Sequence, residues 1–379
     1  MIYNEFQGKK LSALGLGCMR LPVIGGDDSI VDEALTAEMV DYALSHGINY
    51  FDTAWGYHGG NSELAIGRAL KNHPRDNFNL ATKFPGYDLK NLGKVKEIFE
   101  EQLKKCGVEY FDFYLFHNVS ESNIEGYLDP KFGIFEYLTE QKKSGRIRHL
   151  GFSAHGGMHV LKKFLAKYGE HMEFGQLQLN WLDWTFQNAK AKVELFKEYN
   201  IPVWVMEPLR GGKLATLSER SFKKLQELRP EASRAEWAFR FLQSLPEVKV
   251  TLSGMSNFEQ LKENIAIYEQ LKPLNEEETA ALLSIASELS SAYSVPCTMC
   301  RYCMTHCPQR LNIPNMLEQY NQHKLSAGGT VSPIALRAAS DDSKYSKCVG
   351  CKSCEAVCPQ QIKISEIFAD FNRELAAKA

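Results

Sequence analysis

The sequence predicts an α/β protein: a (β/α)8 TIM barrel followed by a small, mostly helical domain organised around cysteines. Three observations predict it. Eight short apolar runs alternate with amphipathic helical stretches over roughly 250 residues, the size of a closed barrel of parallel strands with crossover helices. Near the end of the chain, two runs repeat one cysteine spacing. An open doubly wound sheet would announce itself with G-x-G-x-x-G after the first strand, and Gly15-Leu-Gly17-Cys18-Met19-Arg20-Leu21 breaks that fingerprint at its third glycine.

Composition sets the limits. With 379 residues, 44% hydrophobic, and a formal charge of -2, the chain can bury one large core and a smaller one. It has no global basic excess, so neither nucleic acid nor an anionic membrane is expected as a partner. No apolar stretch approaches a membrane span, and Met1-Ile-Tyr-Asn-Glu-Phe has no charged leader before an apolar run, so a cytoplasmic location is expected. Cys18 and Cys106 stand alone while the other eight of the ten cysteines lie in the two runs. That is metal-site usage in a reducing compartment, not a disulfide framework.

The expected strands are residues 13–19, 50–53, 78–82, 111–116, 149–152, 174–179, 203–206 and 250–253. Helical patterns lie between them at 38–45, 64–70, 92–105, 133–143, 160–168, 189–199, 234–245 and 258–271. Pro273-Leu274-Asn275 followed by Glu276, Glu277 and Glu278 marks a helix start, because acidic side chains suit the positive end of a helix dipole. The expected organisation is a barrel over 1–272, a connecting helix over 273–292 and a cluster domain over 293–379.

Cys297-Thr-Met-Cys300-Arg-Tyr-Cys303-Met-Thr-His-Cys307-Pro308 and Cys348-Val-Gly-Cys351-Lys-Ser-Cys354-Glu-Ala-Val-Cys358-Pro359 both read C-x2-C-x2-C-x3-C-P. This is the bacterial ferredoxin pattern for two [4Fe-4S] clusters, in which the fourth cysteine of each run serves the other cluster. It assigns Cys297, Cys300, Cys303 and Cys358 to one cluster and Cys348, Cys351, Cys354 and Cys307 to the other. Zinc usually takes its cysteines as C-x2-C pairs, so the third cysteine and the C-P ending fit a cubane better. The runs start at 297 and 348, 51 residues apart, with an insertion from about 311 to 347. In that respect the region resembles the helical type of two-cluster ferredoxin-like domain attached to larger oxidoreductases.

Active sites of such barrels are built at the C-terminal ends of the strands. Those ends carry Asp52 with Tyr57 just beyond it, then Lys83, then His117. A nearby ammonium favours ionised tyrosine, so Tyr57 beside Lys83 is suited to protonate a forming alkoxide; Asp52 would hold Lys83, and His117 would share the proton or orient a carbonyl oxygen. Singly, each is more often a structural residue; the four in this order point to proton transfer.

Phe51-Asp52-Thr53-Ala54-Trp55-Gly56-Tyr57, Glu63-Leu-Ala-Ile-Gly-Arg-Ala-Leu70, Ala81-Thr82-Lys83, Tyr114-Leu-Phe-His117, Ser144 to Ser153 and Glu207-Pro-Leu-Arg-Gly-Gly212 together closely resemble the aldo-keto reductases, over about 11–271. With its tail, the chain resembles the bacterial subgroup carrying a C-terminal two-[4Fe-4S] ferredoxin-like domain. The resemblance implies NAD(H) or NADP(H) extended across the barrel mouth, hydride exchange with a carbonyl or alcohol, and Asp52, Tyr57, Lys83 and His117 as the catalytic tetrad. It places Ser153 and Gln176 at the carboxamide, with Ala154 where Asn is usual and Gln178 and Asn180 on the same strand face. Met206 stands where an aromatic residue often stacks on the nicotinamide. Leu209, Arg210, Gly211 and Gly212 suit a pyrophosphate, whose charge Arg matches and whose approach glycines permit. Along 254–264, Gly254, Gln260, Glu263 and Asn264 fall at cofactor positions. Gln260 replaces a common Arg and Lys262 is the nearest base, which favours NADH or tolerance of both cofactors.

A hydride carries two electrons and each cluster accepts one, a mismatch that flavin normally bridges. No flavin motif is present, although barrels bind flavin phosphate without a short motif. Three readings follow: a carbonyl reductase or alcohol dehydrogenase with structural or oxygen-sensing clusters; an electron-transfer oxidoreductase linking the barrel to a ferredoxin or other redox protein; and a non-enzymatic electron carrier, which retention of the tetrad disfavours. Substrate-facing candidates are Cys18, Arg20, Trp55, His58, Asn118 and His155.

Overall fold

The computed structural model describes residues 1–293, 295–297, 302–326, 343–358 and 360–377. The chain divides into two compact units, Met1–Leu283 and Ser284–Ala379.

In the first unit, eight parallel strands close a barrel. With the strands numbered along the chain, an N-terminal hairpin comes first, β1 (Tyr3–Phe6) and β2 (Lys9–Ser12). The barrel strands are β3 (Leu14–Gly17), β4 (Tyr50–Asp52), β5 (Asn79–Phe84), β6 (Phe111–Val119), β7 (Ile147–Ala154), β8 (Phe174–Gln178), β9 (Val203–Met206) and β10 (Val248–Ser253), and β10 pairs with both β3 and β9 to close the ring. All eight runs expected from the sequence are strands here, because each is apolar on both faces, inward to the barrel and outward to its helices.

The hairpin is an addition to the sequence reading. Gln7 and Gly8 turn at φ 47° and 81°, both in the left-handed region that a two-residue hairpin loop requires. It carries Phe6 into the barrel interior, with its ring 5.0 Å from Trp204 and 5.8 Å from Phe113. Phe6 and Leu11 join Tyr50, Phe113, Leu115, Phe174, Trp204, Val250 and Leu252 in one apolar cluster. Burial of one such phenylalanine stabilises by about 1.5–3 kcal/mol. With the interior filled by side chains, polar groups are left for the C-terminal rim.

Helix Glu276–Tyr293 begins with a reciprocal cap: the Glu278 N–H donates to Asn275 Oδ1 (2.9 Å) and the Asn275 N–H to Glu278 Oε2 (2.8 Å). The division between the two units falls within this helix.

The second unit repeats itself at the 51-residue offset of the cysteine runs. Short helices Tyr302–Thr305 and Ser353–Ala356 are followed by longer ones, Ile313–Ser326 and Ile364–Ala377. Three residues beyond Cys307 and Cys358, Arg310 and Gln361 both sit at φ 53°, and each N–H returns to the carbonyl of that cysteine at 3.0 Å. The repeats meet through equivalent residues, Tyr320 edge-on to Phe371 (5.3 Å) and His323 bonded to Glu374 (3.2 Å). Their common core contains Leu311, Ile313, Met316, Leu317, Ile362, Ile364, Phe368 and Phe371, together with Cys303 and Cys354. Among the described residues, no helix is long and apolar enough to cross a membrane.

Candidate active site and cluster cradle

Neighbouring strands β4, β5 and β6 deliver Asp52, Lys83 and His117 to the C-terminal rim, and the turn after β4 brings Tyr57 over them. Lys83 is 1% exposed, so its ammonium needs full compensation. It donates to Asp52 Oδ1 (2.6 Å) and the Thr53 carbonyl (2.7 Å), and reaches Tyr57 Oη at 3.4 Å. Burial alone would lower its pKa, but the charges of Asp52 and Tyr57 outweigh burial and hold Lys83 above its ordinary value. Burial raises Tyr57 despite Lys83, which keeps the phenol protonated. His117 is driven well below its usual value by burial and then by Lys83, so it is a neutral imidazole; its Nδ1 is buried with no hydrogen-bond partner. The Tyr57 and His117 rings lie edge to face at 6.1 Å.

A second layer of polar groups supports Lys83. Glu63, fully buried, accepts from Thr82 Oγ1 and Gln102 Nε2, both at 2.7 Å. Gln102 also donates to the Lys83 carbonyl (3.0 Å) and accepts from Tyr114 Oη (2.6 Å). Lys105 meets the other oxygen of Glu63 (3.4 Å) and lies over the Trp55 ring at 4.0 Å.

The other rim residues divide into two groups. Gln176 donates to Asp52 Oδ2 (3.4 Å), and Ser153, beside it in the sheet, accepts the Asn118 N–H (2.7 Å). Gln178 is aligned with Met206. Gln178 and Arg210, read from the sequence as cofactor contacts, both turn to Asp183: Gln178 Nε2 donates at 2.9 Å, Asn180 Nδ2 at 2.7 Å, and Arg210 Nε spans both oxygens at 3.1 and 3.2 Å. Asp183 is fully buried and was not singled out in the sequence. Asn264 is also turned inward, donating to Ser253 Oγ (3.0 Å), while Gln260 Oε1 accepts the Ser256 N–H (2.8 Å) and Glu263 is exposed. Leu209 is half-buried, and Gly211 and Gly212 follow it in left-handed conformations.

Among the substrate-facing candidates, His58 belongs to the scaffold: its Nε2 accepts the Leu21 N–H (3.1 Å) and its Nδ1 bonds the Asp28 carbonyl (2.7 Å). Cys18 is fully buried, whereas His155 is exposed. Arg20 lies along the rim across Gly254, where an added Cβ would come 2.7 Å from its side chain.

In the second unit, Cys307, Cys348, Cys351 and Cys354 line one pocket with Leu311, Ile313, Val349, Ile364 and Phe368. Among the described residues, no three His, Cys, Asp or Glu side chains converge on a single ion. Cysteines spread around a pocket suit a cubane, whose four irons each need their own thiolate. The Leu311 N–H donates to Cys307 Sγ (3.5 Å), and hydrogen bonds from Ser353 hold the exposed Cys351 thiol below its ordinary pKa, whereas burial pushes Cys354 up to about 12. Of the other set, Cys297, Cys303 and Cys358 pack in or against the unit's core, and Cys300 lies outside the described residues.

Comparison with known proteins agrees with both units. Residues 296–364 match the 4Fe-4S dicluster domain, and residues 13–287 match the aldo/keto reductase family. A probable aldo-keto reductase of Glycine max is 32% identical over 54% of this chain, which spans 58% of that protein's length. An NADH-specific methylglyoxal reductase of Escherichia coli is 29% identical over 56% of this chain and 68% of its own. The holo structure of an aldo-keto reductase from Bacillus halodurans superposes with a TM-score of 0.61 at 25% identity, covering 75% of this chain and 96% of that one. The chain therefore belongs to the aldo/keto reductase family, with a 4Fe-4S dicluster domain following its barrel.

Proposed function

We propose that the protein is a nicotinamide-dependent oxidoreductase that interconverts a carbonyl compound and its alcohol at the barrel rim, with Tyr57 as the proton donor. The observation that carries this reading is the buried chain from Asp52 through Lys83 to Tyr57, at 2.6 and 3.4 Å. Lys83, charged, stabilises the phenolate left after Tyr57 gives up its proton. Tyr57 Oη donates to the nascent alkoxide, and neutral His117 donates a ring N–H to the same oxygen and fixes its orientation. Ser153 and Gln176 would hold the nicotinamide, which supplies the hydride when bound. The likeness to an NADH-specific methylglyoxal reductase supports a small carbonyl substrate and NADH as the cofactor to test first. Tyr57→Phe is expected to slow carbonyl reduction by about 10²–10⁴-fold while cofactor affinity is kept; undiminished turnover would overturn the assignment.

The reading extends to the tail, with the barrel domain over 1–272, the connecting helix over 273–292 and the cluster domain over 293–379. Two [4Fe-4S] clusters, held by Cys297, Cys300, Cys303 and Cys358 and by Cys348, Cys351, Cys354 and Cys307, would supply one-electron transfer. A second function, electron exchange with a redox partner, is favoured by the exposure of Cys351, Val349 and Lys352 at the cradle's edge. Under that reading, NADH or NADPH added anaerobically should bleach the cluster absorbance near about 400 nm. Carbonyl reduction without bleaching would leave only the first function.

A further inference from the structure

Glu207, immediately after β9, is held in a conformation that side chains rarely adopt, φ 56°, with its carbonyl accepting from Asn180 Nδ2 (3.0 Å) and from the Arg210 N–H (3.1 Å). This backbone turns the carboxylate back over its own loop. Burial raises the Glu207 carboxyl above its ordinary value, while Arg20 and then the Gly211 N–H oppose that rise and favour the charged form. A side chain at Gly211 would begin 3.9 Å from Glu207 Oε2 and 4.0 Å from an Arg20 nitrogen, so all three groups meet at one corner of the rim. Glu207 Oε2 is buried there without a hydrogen-bond partner. The nearby charges of Arg210 and Asp183 are paired with each other.

Arg210, Gly211 and Gly212 follow at φ 50°, 65° and 87°, a left-handed turn that spends the Arg210 N–H on the Glu207 carbonyl and brings Gly211 beside the guanidinium of Arg20. The anion at this turn is one of the chain's own. We infer that Glu207 is a built-in competitor for phosphate: its carboxylate occupies the corner formed by Arg20 and the Gly211 amide, and a phosphate-bearing cofactor must displace it or lie beside a like charge. Glu207 then sets how strongly the rim accepts any such cofactor. As applied to nicotinamide cofactors, the inference rests on the function proposed above.

The experiment is a calorimetric titration of the full-length, cluster-loaded protein with inorganic pyrophosphate, NADH and NADPH, in wild type, Glu207→Gln and Glu207→Ser. Removing the charge should tighten pyrophosphate by about tenfold, the scale of one like-charge contact at a partly screened rim. Arg20→Gln should weaken it in either background. Pyrophosphate binding that is unchanged or weaker in both Glu207 variants, or indifferent to Arg20→Gln, overturns the inference. If pyrophosphate tightens while neither nicotinamide cofactor binds any variant, the competitor role stands and the nicotinamide reading falls. If NADH binds wild type and no ligand responds to the Glu207 variants, only the competitor role falls.

Discussion

The barrel rim is buried and the cysteine cradle is open at one edge, and they meet the cost of charge in different ways. On the rim, the protein supplies both signs: Lys83 is answered by Asp52 and by the Thr53 carbonyl, and Asp52 in turn by Gln176. In the cradle, four cysteines stand among Leu311, Ile313, Val349, Ile364 and Phe368, and among the pocket-lining residues only Lys352 carries a formal positive charge. With the proposed cluster bound, thiolates in such surroundings would be balanced by iron. The rim is therefore part of the fold's own stability, whereas the cradle's stability would be linked to that cluster.

The largest expected effect follows from that difference. Stripping iron with a chelator under reducing conditions should loosen the second unit, whose core includes Cys303 and Cys354 beside Phe368 and Phe371, and leave the barrel folded. Limited proteolysis should then remove the chain beyond residue 293 while the barrel keeps its melting transition. Equal protease resistance with and without iron would show that the apolar core of the repeat is sufficient by itself.

Next in size is removal of one member of the rim pair. Lys83→Met should leave Asp52 buried and unpaired, destabilising the barrel by about 3–5 kcal/mol, and should slow turnover by about 10²-fold or more. The double variant Lys83→Met with Asp52→Asn should recover much of the stability in denaturant titrations and none of the turnover. If the double variant remained as unstable as the single one, the pair would not be the barrel's source of charge compensation.

What the sequence disclosed about the two regions also differs. The barrel strands are legible because each apolar run is buried on both faces, and Asp52, Lys83 and His117 follow because strand order alone carries them to one rim. The N-terminal hairpin is signalled only by Gln7-Gly8 between short alternating runs, and its two four-residue strands lie outside the βα rhythm of the barrel. Gln102 was hidden within an amphipathic helix pattern, where nothing local shows that its amide reaches the Lys83 carbonyl. Gln178 and Arg210 have the composition of ligand contacts, and only the three-dimensional placement of Asp183 reveals that Gln178 Nε2 and Arg210 Nε each donate to its carboxylate. In the second unit the cysteine spacing groups Cys307, Cys348, Cys351 and Cys354 as one set, and these four line one pocket. The equivalence of Tyr320 with Phe371 and of His323 with Glu374 needed the helices in place.

The smallest effect concerns pH, and it distinguishes a rim tuned by burial from one tuned by solvent. Burial and Lys83 depress His117 well below its ordinary value, so the imidazole is already neutral where an exposed histidine would be titrating. Carbonyl reduction should therefore show no break near about pH 6.5, the usual histidine value. Tyr57 must be protonated to act as the acid, and burial raises it above its ordinary value, so reduction should decline only above about pH 10, as the phenol ionises. Alcohol oxidation needs the phenolate as base and should rise across the same interval. A clear step in kcat for reduction near about pH 6.5 that disappears in His117→Gln would mean that protonated His117 takes part, and that the rim is more open to water than its geometry implies.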